Sequence, residues 1–194
     1  VHVSVGGLIA VALLREEFGW DTLGVVLVFA ALPDLDTFLG LVLPGAHRSV
    51  LHSLFLPLGL SLGVLGDWQR GGSVFGTRFD GRGSRVAGVA ILALAFGGIA
   101  PDLVTNGVNL FNPGQDRFVA VNGELALSSS RGIVQTFVEF GTPDAGGAIV
   151  GSTETIHYAT GVDPTPGQTP EDDQRVFPIV DSGMALLLVV LSTP

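Results

Sequence analysis

Six side chains that could bind a metal ion lie in or beside strongly apolar stretches of this sequence: His2, Asp34, Asp36, His47, His52 and Asp102. Imidazole nitrogen and carboxylate oxygen are the donors that zinc and similar divalent ions take, and the chain has no cysteine to offer a thiolate instead. A carboxylate at the centre of a bilayer costs about 2.5 to 3.5 kcal/mol even on a lenient scale. Asp34, Asp36, Asp102 and Asp181 must therefore be paired, protonated or bound to an ion. Metal-assisted hydrolysis is the chemistry such a set can perform.

In Pro33-Asp34-Leu35-Asp36 the two acids are two residues apart, about 200° around an ideal helix. Pro33 removes a backbone donor, so the motif predicts a local unwinding that turns both carboxylates toward one cavity; a plain proline kink is the alternative. In His47-Arg48-Ser49-Val50-Leu51-His52-Ser53, Arg48 and His52 are four apart and are expected on one helix face, with His47 reaching the same point from the preceding turn. Asp102, Thr105, Asn106 and Asn109 predict a polar stripe on a further helix, where interhelical hydrogen bonding is the alternative use.

A weak internal repeat links two of these motifs. Pro33-Asp34-Leu35-x-Thr37 followed by Pro44-Gly45-x-His47-Arg48-x-Val50 recurs as Pro101-Asp102-Leu103-x-Thr105 followed by Pro113-Gly114-x-Asp116-Arg117-x-Val119. The repeat predicts that Asp116 and Arg117 return to the mouth of the site in the role of His47 and Arg48.

The elements that must position these groups are membrane helices. Of 194 residues, 47% are hydrophobic and only 14% charged, and mean hydropathy is +0.54, well away from the quarter charged that a soluble domain carries. A span needs about 20 apolar residues, which 23–43, 50–66 and 86–111 approach or supply; 1–14 and 176–191 are shorter runs. The first run lacks the basic leader and small-residue cleavage site of a secretory signal, and the ending inside the last run suggests part of a longer protein. The expectation is an all-α polytopic membrane protein of about four to five membrane helices with a small β-rich extramembrane insertion. Its parts are a helical core over 1–111 that carries the His/Asp site, an acidic β-rich cap over 112–175, and a final membrane helix over 176–194.

Charge sets the orientation. Every basic residue is arginine; Arg70, Arg78, Arg82 and Arg85 crowd the loop at 67–85, while 112–175 carries nine acids against three arginines. The positive-inside rule puts the first loop in the cytoplasm and the cap outside the plasma membrane. All six metal candidates then fall in the outer half of the bilayer. The net charge of −9 argues against nucleic acid or anionic headgroups as main partner, and the composition, acidic and without lysine, is of an archaeal or halophilic type. In the cap, 117–121, an Asn122-Gly123 turn and 124–128 predict a hairpin, 132–140 and 148–158 further strands, and 162–173 a loop.

The ordered motifs, His2 with Gly6-Gly7, Pro-Asp-Leu-Asp, His-Arg-x-x-x-His-Ser and a late intramembrane aspartate, resemble the YdjM-type family over about residues 1 to 120. Its members are described as LexA-binding, inner-membrane-associated hydrolases or membrane-bound metal-dependent hydrolases. The resemblance implies a helical membrane fold, distantly similar to zinc-dependent phospholipase C and related phosphoesterase nucleases. It also implies divalent metal ions, zinc first, on His2, Asp34, Asp36, His47, His52 and Asp102. The family usually carries a histidine four residues before the aspartate matching Asp102; here that position is Gly98, so a ligand is lost or supplied from elsewhere, with His157 as one source and a plain surface residue as its other reading. No residue here supports a LexA contact.

The expected function is hydrolysis of a phosphoester or lipid-like substrate entering from the bilayer at the outer boundary. Asp36 is expected to be the base or a metal bridge, and Arg48, with Arg117, the phosphate clamp. The alternatives are an ion- or proton-coupled transporter or channel with discontinuous helices, and a non-catalytic scaffold whose cap binds a protein partner over a structural metal.

Overall fold

The structure, a computed structural model, describes residues 1–71, 74, 82–121, 125–130, 132–135, 149–162 and 190–191. Among these the chain is mostly helical with a few short strands. Its helices are α1 (His2–Leu14), α2 (Trp20–Ala31), α3 (Asp36–Gly40), α4 (Phe55–Gln69), α5 (Gly83–Leu92) and α6 (Ala100–Thr105). A 3-10 turn, Leu32–Leu35, joins α2 to α3, and a π-helical stretch, Ala93–Ile99, joins α5 to α6. Two continuous helical rods result, Trp20–Gly40 and Gly83–Thr105, and both are long and apolar enough to cross a membrane.

Small residues decide how closely the rods pack. Ala10, Leu14, Val26, Ala30, Val86, Val89, Ala90 and Ala93 form the core between α1, α2 and α5. On α1, Gly6 faces α2 so closely that an added Cβ would stand 2.6 Å from Ala30 Cβ. On the π stretch, a Cβ on Gly97 would stand 3.2 Å from Gly6 N. Such contacts are how apolar helices associate where lipid gives no hydrophobic drive. They also fix the site, because His2 lies one turn before Gly6 on the same face.

Several boundaries differ from the sequence expectation. The second helix ends at Gly40, not at residue 43, and the third starts at Phe55, where Ser53 Oγ accepts from Phe55 N at 3.3 Å. Residues 41–54 between them are turns. Two backbone hydrogen bonds hold them open: Asn109 N donates to Arg48 O at 2.8 Å, and Leu54 N donates to Leu110 O at 2.9 Å. Arg48 and His52 therefore do not share a helix face. The fourth helix stops at Thr105 because Gly107, at φ +94, turns the chain, so the expected stripe ends before Asn109. The Pro33 motif is overwound into a 3-10 turn instead of being unwound.

The strands also pair differently. β1 (Phe118–Val119) pairs antiparallel with β4 (Ile149–Gly151), and β2 (Leu125–Ser128) with β3 (Gly132–Gln135). The hairpin expected across Asn122-Gly123 is thus replaced as a pairing, since residues 118–119 take a partner some 30 positions later. Asn122-Gly123 itself, much of 162–173, and most of the last apolar run, with Asp181, lie outside the described residues, as do Arg78 and Asp80.

Candidate metal centre

The site forms where the rods meet, at the 3-10 turn and the start of α6. Asp34 belongs to the 3-10 turn and Asp36 opens α3; Asp102 lies in the first turn of α6 after Pro101; His2 opens α1; His47, Arg48 and His52 come from the turns at 41–54. Seven polar residues from separate segments of chain are thereby linked by contacts of 3.6 Å or less.

Asp102 is the joint. Its Oδ1 lies 3.5 Å from His2 Nε2 and accepts from Arg48 Nη2 at 3.1 Å, while its Oδ2 lies 2.9 Å from His52 Nε2. The other nitrogen of His52, Nδ1, lies 2.9 Å from Asp36 Oδ2, and the remaining oxygen of Asp36 lies 2.8 Å from His47 Nδ1. Thr37 Oγ1 is 3.0 Å from the same His47 nitrogen. A neutral imidazole has a single N–H, so the two carboxylates on His52 require a second ring proton or a cation in place of one contact.

His2, Asp34 and Asp102 form the group that could hold a metal ion, with ligand atoms all within 4.8 Å of one another. His2 Nδ1–H donates to Gly97 O at 2.8 Å, which in a neutral ring leaves the lone pair on Nε2. That nitrogen sits 3.6 Å from Asp34 Oδ1 and 3.5 Å from Asp102 Oδ1. Both distances exceed a good hydrogen bond and approach the edge of about 3.4 Å expected of a tetrahedron with bonds near 2.1 Å. A ring anchored on a backbone carbonyl is also how metal-bound histidines are usually oriented. The donor set therefore fits a divalent ion. The two aspartates occupy matching positions of the internal repeat and bracket one nitrogen.

The roles expected within the set are redistributed. Asp36 is fully buried, and imidazoles take both its oxygens, which suits a carboxylate that orients His47 and His52 and not a base that must reach water. Asp34, with 47% of its side chain exposed, is the carboxylate open to solvent. Arg48 reaches Asp102 despite a left-handed backbone, φ 59, and its Nε and Nη1 are buried without a hydrogen-bond partner among the described residues. Arg117 is exposed and forms no ion pair with Asp34, Asp36 or Asp102 among the described residues. His157 is exposed and outside the cluster.

Gly98 has a steric explanation. A Cβ there would lie 2.7 Å from Pro33 Cγ and 2.9 Å from Ala30 O, so helix packing fills the place a histidine would need.

Asp116 does not enter the site; it latches the later chain to it. It accepts from Asn109 Nδ2 at 2.6 Å, Thr153 Oγ1 at 2.6 Å and Thr153 N at 3.0 Å. That latch holds Tyr158, which the motifs did not reveal. Its ring centroid is 4.9 Å from Arg48 Cζ and 6.1 Å from the His47 ring, and its hydroxyl donates to Asn106 O at 2.8 Å. Burial is the main cause that pushes the Tyr158 phenol above its ordinary value, which keeps it a donor.

For Asp116, slight burial works upward, but the hydrogen bonds from Thr153 and Asn109 outweigh it and hold the carboxyl below its ordinary 3.8. A lowered folded value stabilises the latch above the unfolded value, and that stabilisation is lost as pH falls through the folded one. The protection factor of the Thr153 amide in hydrogen exchange is expected to fall as pH drops below the ordinary carboxyl value of 3.8, and Asp116→Asn to flatten the change.

Comparison with protein families, curated proteins and solved structures returns no match. What the site can do follows from its own atoms.

Proposed function

We propose that this chain is a membrane-embedded, metal-dependent hydrolase that cleaves a phosphoester or lipid-like substrate at the outer membrane boundary. The observation that carries the reading is His2 Nε2 set between Asp34 and Asp102, with the ring anchored on Gly97 O. It agrees with the motif resemblance to the YdjM-type family. A polytopic arrangement with the site on the extracytoplasmic side is supported by the arginine-rich loop at the opposite ends of α4 and α5. It is also supported by the exposed apolar faces of α2 and α4, where Val28, Leu58, Leu62 and Trp68 are uncovered.

His2, Asp34 and Asp102 would hold the ion, a mixed nitrogen and oxygen set that admits zinc or a similar divalent ion. When bound, such an ion lowers the pKa of a coordinated water and polarises a phosphoryl oxygen. The protein's own groups then have separate tasks. Asp34 would have two uses: the oxygen facing His2 Nε2 would hold the ion, and its other oxygen, on a side chain open to solvent, would accept the proton from attacking water. Asp36 and His52 hold Asp102 in place through two hydrogen bonds. Arg48, tethered by one nitrogen and without a hydrogen-bond partner at two others among the described residues, offers the charge and donors for a phosphoryl group.

The test is metal analysis of the detergent-purified protein beside hydrolysis of bis-p-nitrophenyl phosphate and phospholipid. Bound transition metal and hydrolysis are expected together, with both reduced in Asp34→Asn and hydrolysis reduced in His52→Ala. A well-folded sample that takes up no transition metal would sink the reading.

A further inference from the structure

We propose that the strap formed by residues 149–160 completes an oxyanion subsite, with Tyr158 positioning the Arg48 guanidinium to bind a tetrahedral anion such as phosphate. This rests on the reading of the neighbouring cluster as a metal-dependent phosphoester site, and it names a residue far from every motif of that site.

The guanidinium is constrained on three sides. Its backbone is pinned in a left-handed turn by the Asn109 N to Arg48 O bond of 2.8 Å. Its Nη2 donates to Asp102 Oδ1 at 3.1 Å, and the Tyr158 ring lies near its Cζ at 4.9 Å. Whichever Nη2 hydrogen Asp102 takes, the other remains to join Nε or Nη1 in a two-point grip on a pair of oxygens. Nε and Nη1 are buried with no hydrogen-bond partner among the described residues. Arginine does not lose its charge, so buried donors of this kind call for an anionic or polar ligand.

Tyr158 is held independently of Arg48. Its hydroxyl donates to Asn106 O at 2.8 Å, its ring meets the edge of Phe118 at 5.7 Å, and Thr153 of the same strap is bound to Asp116. The ring is thus a fixed wall for the guanidinium plane, one on which a lysine ammonium would have no plane to align. Tyr158 acts through Arg48 and is a positioning residue.

The test uses the full metal-loaded chain in detergent, with inorganic phosphate as the probe and calorimetric titration as the readout. Tyr158→Phe, which keeps the ring, is expected to bind phosphate within about twofold of the parent protein, and Tyr158→Leu about tenfold more weakly at unchanged metal content. Arg48→Lys should weaken binding at least as much, and adding Tyr158→Leu to it should cost nothing further, since the ring would have lost the group it positions. Parent-like binding by Tyr158→Leu, or additive losses in the double variant, overturns the proposal while leaving the metal reading intact. Absence of phosphate binding by the metal-loaded parent also overturns the subsite, and metal content then judges the hydrolase reading separately. Should Tyr158→Leu fail to fold, Asp116→Asn releases the strap without touching Arg48, and unchanged phosphate binding there overturns the proposal.

Discussion

Asp102→Asn is expected to lower affinity for a divalent transition metal by at least about a hundredfold and to destabilise the fold by about 3 kcal/mol. Both effects come from one carboxylate with three partners: His2 at 3.5 Å, Arg48 at 3.1 Å and His52 at 2.9 Å. The amide keeps the shape and one acceptor but removes the charge, so Arg48 is left buried beside a neutral group. Leaving a buried charge without its counterion is costly because neither water nor protein then solvates it. Asp34→Asn supplies the contrast. That side chain is 47% exposed, and its neutralisation should weaken metal binding without a comparable loss of stability. Metal content and thermal unfolding in detergent, measured on both variants, separate the two effects. Retention of stoichiometric metal by both would exclude the His2/Asp34/Asp102 group as the ligand set.

Gly98→Ala is expected to destabilise by about 2 kcal/mol, although alanine is the better helix former by about 1 kcal/mol. The added Cβ would meet Pro33 Cγ at 2.7 Å and Ala30 O at 2.9 Å, and neither a proline ring nor a helical carbonyl can swing aside. Relief requires moving the 3-10 turn, and with it Asp34, so metal affinity should fall alongside the unfolding temperature. Gly98→His should be worse on both counts. A folded Gly98→His variant that gained a metal ion would contradict the steric account.

The side chains of the cluster were legible in the sequence because ionisable residues are so scarce there. A histidine or aspartate inside an apolar run has few uses, and His2, Asp34, Asp36, His47, His52 and Asp102 do meet. Their partition was not legible. Asp36 looked as free as Asp34, and only the placement of His47 and His52 on its two oxygens shows it to be enclosed. Helix ends were misplaced where hydrogen bonds from distant chain decide them, as at Arg48 and Leu54, whose partners lie about 60 residues on. Tyr158 gave no signal at all, since a single aromatic in a loop has neither period nor motif, and the strand seven residues before it, β4, pairs with residues 118–119 instead of a near neighbour. Gly98 looked like a lost ligand until the packing of Pro33 and Ala30 gave it a reason.

The π-helical stretch at Ala93–Ile99 has a bearing on how this chain can vary. A π turn is an α-helix that has absorbed an extra residue, so the count between α5 and Asp102 is one greater than a regular helix would use. Were this stretch to wind as an ordinary α-helix with the extra residue retained, everything beyond it would rotate by about 100°. Asp102 would then turn away from His2, Arg48 and His52 together, while the apolar character of the rod stayed the same. Related sequences that keep the site should therefore either keep the wide turn or lack its extra residue, even where the residues themselves change.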